Sequence, residues 1–261
     1  MKIIRCLWGK TNHKFFEKNL KSYHDECILA KENDIKYGIE NQMVIVWDES
    51  NRTFIEKLGY DYYYMGESND FSLNTNFLHK LLALNQAMEM YDEILFIDWD
   101  CFAQKPLDDI FWNLLKSKGD IQIPLYLYPK KVLSGFKKIN PKVDDDYHYF
   151  NMFFYHVIRN GRWEFDGGLV IPNAGFIYCR NKEFFKKLLH IQKSNGIISN
   201  LEEVCALLYF NDYIKSTDEY LEKIEPLVCL GKDDFEMQGE QLKLNQYTTN
   251  KLNKNIYFIH E

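Results

Sequence analysis

From Tyr91 to Trp112 the chain reads YDEILFIDWDCFAQKPLDDIFW. Four apolar residues, Ile94 to Ile97, run straight into Asp98-Trp99-Asp100. A run this short and this apolar has no polar face to give to water, so it reads as a strand covered on both sides of a sheet. Open α/β sheets bind their ligands at the carboxyl ends of such strands. Two carboxylates one residue apart at that place can both reach a single divalent cation. Their hard oxygens suit Mg²⁺ or Mn²⁺, ions that in turn neutralise a diphosphate. Pro106-Leu107-Asp108-Asp109-Ile110-Phe111 then predicts a turn into a helix, with acids in the first turn where the helix dipole favours them. A bare Asp-x-Asp arises often by chance among 38 acidic residues, as a solvated pair at a strand end. What raises this one above chance is the apolar strand and amphipathic helix that precede it.

Outward from this segment the same pattern repeats. Ile3–Trp8 ends at Gly9-Lys10, Met43–Trp47 at Asp48-Glu49-Ser50, and Tyr62–Met65 at Gly66. Helical periods lie between them. Phe16, Leu20, Tyr23 and Cys27 mark one face of a helix over Phe15–Ala30, which also carries Leu29. Phe77, Leu81, Leu84, Met88 and Tyr91 do the same for Asn76–Tyr91. Strands alternating with helices predict an α/β protein with a mostly parallel central sheet flanked by helices. No linker composition or repeat divides the chain, so residues 1–261 read as one domain: a regular half, 1–112, and a less regular half, 113–261.

In that second half, Ile121–Tyr128 predicts a strand broken at Pro124, and a strand pair follows around Leu169–Tyr178. Asn181 caps a helix through Phe184, Phe185, Leu188, Leu189 and Ile191; Asn200 opens another with Val204, Leu207, Leu208 and Phe210. The tail carries a strand-like Ile256-Tyr257-Phe258-Ile259 before His260-Glu261.

Composition narrows the function classes. Lys and Arg number 32 against 38 Asp and Glu, for a net charge of −6, which argues against coating nucleic acid or an anionic membrane through bulk charge. Six cysteines form no CxxC, and several sit in apolar runs, such as Cys6 and Cys205, as buried free thiols of a reducing compartment do. The N-terminus does not read as a signal peptide, and no run approaches the roughly 20 apolar residues of a membrane helix. The expectation is a soluble cytoplasmic protein, with peripheral membrane contact left open. Neither GxGxxG nor GxxxxGK is present, which disfavours a dinucleotide fold and a P-loop.

The segment resembles the DxD region of glycosyltransferases with the GT-A fold, which use nucleotide-sugar donors. It is most similar to family 8 and to galactosyl- and mannosyltransferases of the family 34 type. Their pattern of a helix with a Lys, a hydrophobic strand, DxD and a Pro-Leu stretch corresponds here to Lys80, Ile94–Ile97, Asp98/Asp100 and Lys105-Pro106-Leu107. Downstream, Pro172-Asn173-Ala174-Gly175-Phe176 resembles the Asn-x-Gly strand beside the donor sugar, and Asn200-Leu201-Glu202-Glu203-Val204 the acidic segment opening the next helix. Tyr257-Phe258-Ile259-His260 resembles the C-terminal histidine segment that completes the metal site. Those families usually continue past this histidine with a glycine and an aromatic, whereas Glu261 follows here.

The resemblance implies a single GT-A-like domain with a smaller acceptor-side subregion, 1–112 binding the nucleotide sugar and 113–261 the acceptor. It implies Mn²⁺ or Mg²⁺ on Asp98, Asp100 and His260. The donor, a UDP- or GDP-linked sugar, would meet Leu7, Trp8, Gly9, Asp48, Lys80, Asp98, Trp99 and Asn173. Glu202 and Glu203 are the candidate catalytic carboxylates, in a reaction more in keeping with retention than inversion. A capping box at Asn200 and Glu203, with Glu202 in the favourable first turn, also accounts for both acids. Flat faces at Tyr147, Tyr149 and Trp163 suit a carbohydrate acceptor. Richness in Lys, Asn and Ile fits an AT-rich genome and a place in bacterial surface polysaccharide synthesis. Two other readings stand beside this one. Asp98-x-Asp100 with Gly231-Lys232-Asp233-Asp234 imitates a haloacid dehalogenase-type phosphatase, although Phe102 replaces its usual Thr or Val. A degenerate transferase fold could also serve only to bind carbohydrate.

Overall fold

The computed structural model describes residues 1–9, 20–68, 78–128, 164–165, 168–195, 201–210, 212, 214–215, 217–230, 235–238, 241–244 and 255–260. The four apolar runs of the first half are strands β1 (Lys2–Leu7), β2 (Gln42–Val46), β3 (Tyr62–Tyr64) and β4 (Ile94–Ile97). Between them lie helices α1 (Leu20–Lys36), α2 (Glu49–Lys57) and α3 (Leu78–Met90). With β6 (Ile121–Gln122) and β10 (Phe176–Cys179) the strands form a six-stranded sheet ordered β3-β2-β1-β4-β10-β6. The pairs among β1 to β4 are parallel, and β10 runs antiparallel to both its neighbours. The strand order reverses between β1 and β4, and the crevice outside such a reversal is where α/β sheets take ligands.

Side-chain alternation along the central strands supplies both cores. Ile4, Cys6, Ile94 and Phe96 join one cluster with Leu81, Leu84 and Met88 of α3. Phe184, Phe185 and Leu188 of α5 (Phe184–Asn195) and Leu207 and Phe210 of α6 (Leu201–Phe210) complete it. Ile3, Leu95 and Ile97 point the other way, onto Phe111 and Leu115 of α4 (Asp109–Lys116) and onto Phe176, Tyr178 and Phe258. A helix follows the turn where the sequence predicts one, with Asp109 in its first turn; Asp108 is the N-cap and accepts from Phe111 N at 2.9 Å. Asn181 likewise accepts from Glu183 N at 3.0 Å ahead of α5.

Two expectations need correction, and one element goes beyond the sequence reading. The first helix runs on to Lys36, and Leu29 faces solvent at 54% exposure while Cys27 and Ala30 carry the buried stripe. Phe15, Phe16 and Phe77 lie outside the described residues. Second, the two strands around Leu169–Tyr178 do not pair with each other. The strand β9 (Gly168–Pro172) belongs to a sheet ordered β7-β9-β8 with β7 (Leu125–Tyr128) and β8 (Glu164–Phe165), whereas β10 joins the main sheet. The reason lies in two facing breaks: Pro124 interrupts one strand, Asn173-Ala174-Gly175 the other, and Asn173 N donates to the Pro124 carbonyl at 2.7 Å. The hairpin of β12 (Phe235–Gln238) and β13 (Gln241–Leu244) has no counterpart in the sequence reading.

A small sheet matters most for the site. In it β14 (Phe258–His260) lies between β11 (Cys229–Leu230) and β5 (Cys101–Ala103), with His260 opposite Cys101. All six cysteines are buried, and none forms a disulfide. No described helix is long and apolar enough to cross a membrane.

Candidate active site

The site grows from the end of β4. Asp98 N donates to the Gly175 carbonyl at 2.8 Å, and Cys101 N returns to the Asp98 carbonyl at 3.1 Å, so residues 98–101 form a tight turn. Within it Trp99 points inward, 5% exposed, its Nε1 donating to the Cys6 carbonyl at 2.8 Å. Asp98 and Asp100 are thereby left outside. The register of β14 against β5 brings His260 to them, with Nε2 3.2 Å from Asp100 Oδ1. Asp98, Asp100 and His260 each offer a ligand atom within 4.8 Å of the others.

These residues fit a divalent cation. Two carboxylates and an imidazole from separate segments are a donor set that Mn²⁺ and Mg²⁺ accept. His260 Nδ1 is buried with no hydrogen-bond partner among the described residues. The ring occupies room that exists only because residue 175 is glycine: a Cβ there would lie 2.1 Å from His260 Cε1. Gly175 is thus a site residue for its missing side chain, in keeping with its place in the Asn-x-Gly motif.

Lys80, in the first turn of α3 and 5% exposed, sits 2.7 Å from Asp98 Oδ2 and 3.3 Å from Glu202 Oε1. Burial works against the ammonium, but the two carboxylates outweigh it and hold the Lys80 pKa above its ordinary value. Burial likewise pushes the Asp100 carboxyl up, while His260 and Lys80 prevail and keep it below the usual range. Glu202 is 6% exposed, and its Oε2 is buried with no partner among the described residues. Two carboxylates on one lysine, with Asp100 and His260 beside them, leave the cluster acidic and under-satisfied, a poor state for the protein alone and a suitable one for a cationic ligand.

The other candidates divide by what they touch. Leu7 packs its side chain in the core and offers its carbonyl to Trp47 N at 2.9 Å. Asp48, buried and at φ 69°, binds Ser68 N at 3.0 Å, Ser68 Oγ at 2.7 Å and Gly9 N at 3.2 Å. It therefore ties together the loops after β1 and β3. Trp8 is half-buried and near-parallel to His79 at 6.4 Å, with Trp47 edge-on to the same ring at 4.8 Å. Asn173 accepts from Gly175 N at 2.9 Å and shapes the turn whose Gly175 meets Asp98 N and the His260 ring. Glu203 is half-buried on α6. Tyr147, Tyr149, Trp163, Asp233 and Asp234 lie outside the described residues.

Sequence reasoning missed His79 and Arg5. Arg5, 1% exposed, donates to the Asp98 carbonyl at 2.5 Å. The signal was a charged residue inside the apolar run Ile3-Ile4-Arg5-Cys6-Leu7, a position that only a partnered charge tolerates.

No protein-family profile matches the chain, and no curated protein matches it. Solved structures do. An active-site mutant of LgtC superposes with a TM-score of 0.51 at 12% identity, covering 100% of this chain and 86% of that one. Mouse xyloside xylosyltransferase 1 gives 0.50 at 10% identity over 100% and 97%. The WbbM bifunctional glycosyltransferase gives 0.52 at 14% over 99% of this chain, which spans 45% of that protein. At such identities the likeness is one of architecture: the chain has a mixed α/β fold with a mostly parallel central sheet, of the GT-A kind seen in glycosyltransferases.

Proposed function

We propose that this protein is a metal-dependent glycosyltransferase that moves a sugar from a nucleoside-diphosphate sugar to a hydroxyl of a carbohydrate acceptor. The observation that carries this reading is the convergence of Asp98, Asp100 and His260 at the carboxyl edge of a GT-A-like sheet. Lys80 and Glu202 lie beside them. Asp98, Asp100 and His260 would hold Mn²⁺ or Mg²⁺, which would supply Lewis-acid stabilisation of the departing diphosphate. Lys80 contributes a second, permanently charged donor on the same side. Trp8 and Gly9 border the base, with Asp48 holding their loop in place.

Glu202 is the better candidate of the two glutamates for the transferred sugar, because its buried Oε2 lacks a partner among the described residues and so stands ready for a hydroxyl. Retention of configuration is what the family resemblance implies, and acceptor binding by Tyr147, Tyr149 and Trp163 rests on their aromatic character. The fold likeness gives the transferase reading support that the phosphatase reading lacks. Work on a bacterial surface polysaccharide from the cytoplasmic side completes the proposal.

The test is a thermal-shift panel of UDP, GDP and CMP, each with and without Mn²⁺. Only the matching base with metal should raise the melting temperature, since a ligand at 100 times its Kd stabilises by about 2.7 kcal/mol. Absence of a shift with every nucleotide overturns the reading.

A further inference from the structure

The guanidinium of Arg5 reaches the metal-binding turn from within the protein. It donates from Nη1 to the Asp98 carbonyl at 2.5 Å, from Nη2 to Asp34 Oδ1 at 3.1 Å, and from Nε to Gln42 Oε1 at 3.4 Å. Tyr60 donates to the other Asp34 oxygen at 2.6 Å, and the Trp99 ring lies 5.0 Å from the guanidinium carbon. Burial opposes the charge, but Asp34 outweighs it and keeps the Arg5 pKa above its usual value. An ion pair this deep is a poor investment in stability, because well-packed apolar residues in its place are often neutral or better. Its geometry has another use.

We infer that Arg5, backed by Asp34 and Tyr60, is a positioning residue that pins the Asp98–Asp100 turn and so sets how its two carboxylates face His260. The backbone of Asp98 is held at both ends, its N–H by Gly175 and its carbonyl by Arg5 and by Cys101 N. The next residue, Trp99, is anchored to the Cys6 carbonyl. Two consecutive residues of the turn are thus fastened to two consecutive residues of β1. With the backbone held, the directions in which the Asp98 and Asp100 side chains leave it are fixed before any ligand arrives. The purpose of the pinning rests on the metal reading above; the pinning itself belongs to the metal-free protein.

The experiment uses the full chain and two readouts, hydrogen exchange at the Cys101 amide without metal and Mn²⁺ affinity by titration. Arg5→Lys keeps a cation for Asp34 but cannot also hold the Asp98 carbonyl. Exchange at Cys101 should quicken about tenfold relative to the Ile45 amide, and Mn²⁺ should bind about 10-fold to 100-fold more weakly, the usual loss when an outer-shell partner of a metal ligand is removed. The double variant Arg5→Met/Asp34→Leu removes both charges and should behave alike if Arg5→Lys fails to fold. Tyr60→Phe, which takes away one donor to Asp34, gives a smaller change in the same direction should both fail. Leu188→Ala, a core truncation on α5, lowers stability but should leave both readouts in place. A folded Arg5 variant with wild-type exchange at Cys101 overturns the inference, as does an equal change in Leu188→Ala. If wild-type protein and Asp100→Asn take up Mn²⁺ alike, the metal reading fails, and exchange at Cys101 alone decides the pinning.

Discussion

Two buried cations bind the same residue, Asp98, one at its backbone carbonyl and the other at its carboxylate, and they are treated in opposite ways. Arg5 is enclosed by Asp34, Gln42 and the Asp98 carbonyl, a set that uses its donors within the fold. Lys80 faces Asp98 and Glu202, yet one oxygen of Glu202 and one nitrogen of His260 stay buried without partners among the described residues. The first arrangement is closed and positions backbone. The second is acidic, incomplete and open at Asp98, which is 27% exposed at its side chain. Burying unsatisfied polar atoms costs free energy that a folded protein recovers only when something binds there. The difference separates a charge whose partners are complete within the fold from one whose surroundings leave polar atoms unpartnered among the described residues.

The comparison can be broken most severely at Lys80. Lys80→Met leaves two carboxylates facing each other in the interior and should cost about 3–5 kcal/mol of stability, as removal of one member of a buried pair does. Adding Glu202→Leu should restore much of the melting temperature in denaturation curves while transfer activity stays lost. Recovery of activity in the double variant would show that the pair is structural after all. Asp100→Asn comes next: a loss of about 100-fold or more in kcat, equivalent to about 2.7 kcal/mol, read from nucleotide release with Mn²⁺ present. Its melting temperature without metal should stay near that of the wild type.

Gly175→Ala sharpens the picture further. The added methyl meets the His260 ring, so the variant should lose about 1–3 kcal/mol from overpacking. It should also bind Mn²⁺ about tenfold more weakly in the same titration. The smallest expected effect lies at the far end of the loop after β5. Asp108, bonded by the Tyr257 hydroxyl and by Phe111 N, has its carboxyl held below the usual range. A depressed carboxyl stabilises above its unfolded pKa of about 3.9, and that contribution fades as pH falls through the folded value. Asp108→Asn should therefore flatten the acid limb of the stability curve slightly and leave neutral-pH activity unchanged.

How far the chain could be read depended on the range of each signal. Ile94–Ile97 and the 81-84-88 stripe are local patterns, and strands and helix stand where they point. Asp98 and Asp100 follow from them, since a turn after a buried strand has few ways to place alternate residues. The resemblance implies a donor contact at Trp99, whereas the turn sends its side chain inward to Cys6 and Arg5. Leu7 turned the same way, by strand alternation. Asp48 reads as a hydroxyl acceptor in sequence and holds Ser68 and Gly9 in space.

What the sequence determined on its own was whatever a window of a dozen residues can encode: the alternation of strands and helices, the cap at Asn181, the turn into a helix after Pro106, and the acidic turn after β4. Tertiary structure decided the rest. It set His260 against Asp100 through the β14–β5 register, and it required glycine at 175 to make room for that ring. It also turned Arg5 from an oddity in an apolar strand into the support of the site. The physical reason is one of range. Periodicity reports which side of its own element a residue must hide, whereas a site is made where elements distant in sequence pack together, and nothing local specifies which partner will be waiting there.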